Sequence, residues 1–168
     1  MHGGRRGHAA SMDWIEQLRV LPAVVYAMAL GGAIGFEREL KNRPAGFRTH
    51  MLVAGTSALL LGLGRMVLED DHYAGTGLRI DPLRLVEAVV AGVSFIGAGT
   101  IFASRKGDGV QGITTAASLL TVAAIGITVG FGYLALGLAI ALLTLAVLTV
   151  LRWFERRRLL PPEDGPEE

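Results

Sequence analysis

The sequence contains no cysteine, which excludes disulfides, thiol catalysis and cysteine metal sites. Charge is scarce: 18% of the 168 residues are Asp, Glu, Lys or Arg, where a soluble domain carries roughly a quarter. Catalytic patterns are missing too. There is no HExxH, no GxSxG, no phosphate-binding loop and no triad candidate. No enzyme is expected, and with it no catalytic residue, no cofactor and no metal site. The net charge of +1 says nothing about partners by itself, and no nucleic acid is expected among them.

What the chain does have is apolar length. Hydrophobic residues make up 51% of it, the mean hydropathy is +0.46, and glycine is abundant at 23 residues. Membrane helices tolerate glycine because it lets backbones approach closely. Five apolar stretches, at 20–36, 51–68, 83–102, 112–133 and 134–153, are each about long enough to cross roughly 30 Å of hydrocarbon as a helix. None alternates polar and apolar residues as a transmembrane strand would. The expected fold is an all-α, five-helix transmembrane bundle in the lipid bilayer. It spans 20–154, between a polar segment at 1–19, disordered over 1–11, and a short charged tail at 155–168. An early apolar run after Arg5 and Arg6 also resembles a signal peptide, but it continues past the Ala27-Met28-Ala29 cleavage pattern.

Basic residues choose the orientation. If the charged turn after the first span is cytoplasmic, that side carries ten of the 16 Lys and Arg, including Arg38, Lys41, Arg43, Arg48, Arg105, Lys106 and Arg156. The excess predicts N-terminus out and C-terminus in. Trp14 and Tyr133 then anchor the outer boundary, and Trp153 and Phe154 the inner one.

Chemistry concentrates between Gly35 and His50. Pro44 ends the first helix's continuation, Gly46 frees the chain to turn, and Thr49 is a candidate cap for the second helix. Charge at a helix end ordinarily snorkels and sets topology. Lys41 and Arg43 fit that account, but Glu37, flush against Phe36, needs a partner, and Arg38 or Arg48 could supply it. His50, just inside the second span, is either a hydrogen-bonded structural residue or a titrating group. Arg65 and Glu87, the deepest charges, are expected to pair. The hydroxyls of Thr114, Thr115, Ser118 and Thr121 lie at helical spacing and are expected to bond to neighbouring helices. Glu69, Asp70, Asp71 and Asp81 read as a solvated acidic loop rather than a cation cage.

A weak internal echo runs through the chain. Gly31 corresponds to Gly97, Gly46 to Gly112, Ala58 to Ala124 and Gly64 to Gly130. Helices one and two are therefore expected to be a parallel repeat of helices three and four. The glycines Gly31, Gly35, Gly92, Gly99, Gly126 and Gly130 offer smooth faces, either for packing within one chain or for a homo-oligomer.

Four linked segments resemble the MgtC/SapB membrane protein family. They are Gly-Ala-Ile-Gly-Phe-Glu-Arg-Glu (32–39), Pro-Ala-Gly-Phe-Arg-Thr-His-Met-Leu-Val (44–53), Gly-Val-Ser-Phe-Ile-Gly-Ala-Gly-Thr-Ile (92–101) and Gly-Ile-Thr-Thr-Ala-Ala-Ser (112–118). The resemblance implies a bacterial inner-membrane protein of five helices. It also implies an association with growth in low magnesium and with survival of pathogens in macrophages, and a membrane partner such as the rotary ATP synthase. By motif, Glu37, Arg38, Arg48, Thr49, His50, Gly97, Ala98, Gly99, Thr114 and Thr115 are the signature positions. Longer members continue into a soluble domain, so the expectation is a short form. The leading function is a non-enzymatic regulator; the alternative is a transporter or channel for Mg²⁺ or H⁺.

Overall fold

The computed structural model describes residues 17–69, 81–103 and 111–158, and side chains as far as Val150. The expectations for 1–11, Trp14, Asp70, Asp71, Arg105, Lys106 and the tail from 159, and for the side chains of Trp153, Phe154 and Arg156, lie outside them. Five helices follow one another: α1 Leu21–Leu40, α2 Phe47–Glu69, α3 Pro82–Ala103, α4 Ile113–Gly130 and α5 Leu134–Arg158. Among the described residues there is no strand.

The helix ends follow from local chemistry. Pro22 sits in the first turn of α1, where a missing N–H costs nothing. At the other end Asn42 takes a left-handed conformation (φ 51°). Its N–H bonds to the Glu39 carbonyl, and that of Arg43 bonds to the Arg38 carbonyl. This paired closure satisfies the last carbonyls and turns the chain. The same closure recurs after α4, where Gly132 (φ 91°) donates to Val129 and Tyr133 donates to Thr128.

Two expectations are corrected here. The charged residues Glu37, Arg38 and Glu39 belong to α1, so the connecting turn is confined to 41–46. Thr49 does not cap α2. That helix begins at Phe47, whose N–H is accepted 2.8 Å away by the Glu39 carboxylate, a negative group at the positive end of the helix. The capping group comes from the preceding helix, which no local rule for α2 could supply.

The bundle is arranged around α4, which packs against each of the other four helices. Helices α1 and α2 form a tight pair, α3 leans on α2 and α4, and α5 leans on α1 and α4. The centre is built from small and branched apolar residues: Ala27, Ile34, Ala54, Ala58, Val122, Ile125, Val129 and Ala141. A second cluster, including Leu61, Val89, Val93, Leu119 and Ala123, joins α3 to α2 and α4.

Glycine sets the spacing of three of these helices. A Cβ on Gly35 would stand 2.8 Å from the Gly46 carbonyl oxygen, and one on Gly130 would stand 2.7 Å from the Leu61 Cβ. Gly31 and Gly126 are equally confined against α2. In a bilayer, where lipid is as apolar as the helix surface, this close packing does much of the holding.

Outside, the helices display large apolar side chains such as Leu52, Phe95, Leu143 and Val147, more than a water-facing monomer shows. Three helices, Phe47–Glu69, Pro82–Phe102 and Ile113–Gly130, are long and apolar enough to cross a membrane, and Leu134–Val150 adds a shorter apolar stretch.

Candidate functional site

At the end of the bundle next to the 41–46 turn, four polar side chains are buried between α1, α2 and α4. Arg38 is 3% exposed, His50 0%, Thr115 2% and Ser118 4%. They sit there because α1 keeps helical geometry through its charged end, which turns Arg38 inward and leaves Glu37 and Lys41 at the rim. The first turn of α2 turns His50 to the same place. Thr115 and Ser118, one turn apart on α4, complete the set.

The polar groups bond to one another. The Arg38 guanidinium Nη2 donates to the Thr115 hydroxyl. His50 Nδ1 lies 2.9 Å from the Gly46 carbonyl oxygen, which can only accept, so Nδ1 carries the proton. Nε2 can then accept from the Ser118 hydroxyl at 3.1 Å. That hydroxyl also lies 2.8 Å from the Thr115 carbonyl oxygen, so its one proton has two acceptors to choose from. The cluster ties three helices together through a charged donor on α1 and an imidazole acceptor on α2, in a region where unsatisfied polar groups are costly.

Around it, Glu37 pairs with Lys41 one turn on, rather than with Arg38 or Arg48. Lys41 also donates to the Leu148 carbonyl of α5 at 3.3 Å. Arg48 is exposed and Thr49 half-buried. Gly97 is buried where α3 meets Ala116 of α4, whereas Ala98, Gly99 and Thr114 face outward. The signature thus divides. Arg38, His50 and Thr115 meet in one cluster, Gly97 packs a neighbouring helix contact, and the remainder are half-buried or exposed. Ser118 is the member the signature omits. Its place one turn after Thr115, toward His50, was the available clue, and its bond to α2 agrees with the expectation for the α4 hydroxyls. Thr121 instead bonds back to Ala117 in its own helix, at 2.9 Å.

The expected Arg65–Glu87 pair is not formed. Arg65 reaches Glu69 in its own helix at 3.3 Å and donates to the Phe131 carbonyl at 3.1 Å. That carbonyl lies at the end of α4, where helix carbonyls lack partners. Glu87 lies exposed on α3 beside a shallow hollow of about 630 Å³ lined by Asp81, Arg84, Glu87, Ala88 and Ala91. Among the described residues no group of three His, Asp or Glu could hold a metal ion.

The model of the MgtC family matches residues 24–157, which takes in all five helices and every residue of the buried cluster. The chain belongs to the MgtC family. Membership and its apolar helices make it a multi-pass bacterial membrane protein. It is 39% identical over 131 residues to a protein of Escherichia coli K12 named putative magnesium transporter YhiD, covering 76% of this chain and 58% of that one. It is 32% identical over 148 residues to protein SapB of Bacillus subtilis, covering 87% and 62%. It is 34% identical over 141 residues to protein MgtC of Brucella abortus, covering 84% and 55%. This MgtC-family chain therefore matches little more than half the length of these relatives. No solved structure matches it.

Proposed function

We propose that this MgtC-family protein is a non-enzymatic membrane regulator, acting through contacts with another membrane complex at the end of the bundle that carries the 41–46 turn. The observation that carries this reading is how the polar groups are used. Arg38, His50, Ser118 and Thr115 are bonded to one another and to the Gly46 carbonyl, and the middle of the bundle behind them is apolar and tightly packed. A buried lock of this kind fixes the rim, and the rim presents Arg48, Arg43 and Glu39 as exposed charges. With the basic turn in the cytoplasm, as the distribution of arginine favours, this rim is the docking surface. The ATP synthase is the partner that the family resemblance suggests, in adaptation to low magnesium.

Two measurements test the reading. Wild-type protein purified from native membranes is expected to retain the ATP synthase. Arg48→Ala is expected to lose it while keeping its thermal stability. In liposomes the protein is expected to give no Mg²⁺ flux above the empty control, and a flux above that control would overturn the proposal in favour of transport, the role named for the Escherichia coli relative. Orientation is read separately. Ala45 is only 3% exposed and a poor labelling site, whereas Arg43 is exposed. In a chain without cysteine, Arg43→Cys is expected to stay unlabelled by an impermeant thiol reagent added to intact cells.

A further inference from the structure

Two helices lie at the edge of the bundle, and their outward faces differ. On α5 the exposed large residues are Leu136, Leu138, Leu142, Leu143 and Val147, the branched aliphatic surface that acyl chains cover without specificity. On α3 Leu83, Val90 and Ile96 are exposed as well, but one row of exposed residues, Arg84, Ala88, Ala91, Phe95, Ala98 and Phe102, recurs at alternating intervals of four and three, the seam spacing of packed helices. Phe95 is 83% exposed and Phe102 70%, and both stand clear of the subunit. Gly92 and Gly99 flank the seam, and a Cβ on either would meet nothing within 4 Å. Unlike Gly35 or Gly130, these glycines do no packing inside the chain.

The charges on this face say what covers it. Arg84 and Glu87 lie within the first two turns of α3, both exposed, and neither has an ion pair among the described residues. Charged groups at a membrane face tend to pair. Asp81, exposed beside them on the same hollow, accepts the Leu83 N–H at 2.9 Å as the cap of the helix. The two remaining charges, one basic and one acidic a turn apart on the same side of the helix, are self-complementary.

We propose that α3 packs in parallel against α3 of a second copy of this chain about a two-fold axis. In that arrangement Arg84 of each copy stands against Glu87 of the other, and two symmetry-related contacts neutralise all four charges. Further along, Phe95 and Phe102 of each helix enter the gaps that Ala91, Gly92, Ala98 and Gly99 leave on its neighbour. This supplies the dispersion contact that lipid offers equally to a smooth surface but not to an interlocking one. The pairing surface lies away from the Arg38–His50 cluster, so it stands whether the protein regulates or transports.

The test uses the full chain in phosphatidylethanolamine–phosphatidylglycerol bilayers at low protein density, with dimer fraction read by single-molecule photobleaching. Wild type is expected to be dimeric. Arg84→Glu and Glu87→Arg are each expected to weaken dimerisation about tenfold, because either substitution is present in both copies and removes both symmetry-related polar contacts, and the double exchange is expected to restore it. Ala91→Cys and Ala98→Cys should form disulfide-linked dimers in native membranes, and Leu142→Cys on α5 should not. A monomeric wild type, charge variants that dimerise normally, cross-linking equal on α3 and α5, or cross-linking of α3 to a different protein instead of itself would each overturn the proposal.

Discussion

In the first hairpin, α1 and α2, Gly31 lies so close to α2 that a Cβ would stand 2.6 Å from the His50 carbonyl oxygen. In the second, α3 and α4, Gly97 occupies the corresponding position, and a Cβ there would stand 3.3 Å from the Ala116 Cβ. Ala116 is the residue that corresponds to His50. The turn ends match as well. Gly35 lies against the Gly46 carbonyl, and Gly112, the counterpart of Gly46, lies against Thr100 and Ile101. These equivalences are why we propose the two hairpins as parallel repeats. The difference between them is chemical. The first carries Arg38 and His50, and the second supplies the Thr115 hydroxyl that accepts from Arg38 and the Ser118 hydroxyl that donates to His50. Small residues set the distance between helices in both hairpins, while the unlike polar residues fasten one hairpin to the other.

The comparison is broken most directly by filling the glycines. Gly35→Leu places a side chain against backbone atoms of Gly46 and Phe47 that have nowhere to go, so a loss of about 3 kcal/mol is expected. It would appear as aggregated rather than monodisperse protein in detergent and as a strongly lowered midpoint in thermal unfolding. Gly99→Leu, whose Cβ meets nothing within 4 Å, should keep the fold of the single subunit to within about 0.5 kcal/mol while filling the proposed pairing surface. Equal damage from both would mean that the two hairpins use glycine alike.

The fastening is tested next. Arg38→Ala removes the charged donor and leaves the Thr115 hydroxyl without it, an expected loss of about 2–3 kcal/mol in chemical unfolding. A double-mutant cycle with Thr115→Val should show a coupling of about 1 kcal/mol. Strict additivity would show that Arg38 stabilises α1 by packing alone. Glu39→Ala acts within the first hairpin only. Losing the carboxylate that accepts the Phe47 N–H should cost about 1 kcal/mol and speed hydrogen exchange at Phe47, with the α4 amides unchanged.

Some of this was open to reading from the chain. Apolar length and the absence of strand alternation gave five helices, because a bilayer leaves helices few alternatives. The motifs also named Arg38, His50 and Thr115, which the fold brings together in one buried cluster. Which way each side chain faces did not. Glu37 and Arg38 are neighbours with opposite fates, one at the rim beside Lys41 and one inside beside Thr115, and only the packing of α1 against α4 decides between them. Arg65 looked like a partner for Glu87 because both are charges inside apolar runs. Yet a long guanidinium can reach the exposed carbonyl at the end of α4, and Glu87 faces away from the bundle. Gly92 and Gly99 read the same as Gly31 and Gly35 in sequence, since a missing side chain carries no sign of what lies opposite it.

The smallest expected effect separates two adjacent residues of the α4 motif. Thr115 is buried under Arg38, whereas Thr114 points outward from the first turn of the same helix. Replacing either hydroxyl by an isosteric methyl in a valine series isolates the hydrogen bond from the volume. Thr115→Val should lose about 1 kcal/mol because Arg38 then faces a methyl group. Thr114→Val should be neutral to within about 0.5 kcal/mol in thermal unfolding. If Thr114→Val leaves the melting curve in place but abolishes retention of the membrane partner, Thr114 extends the docking rim beyond Arg48 and onto the second hairpin. If both curves move equally, the inward–outward division of the motif is wrong at its most finely resolved point.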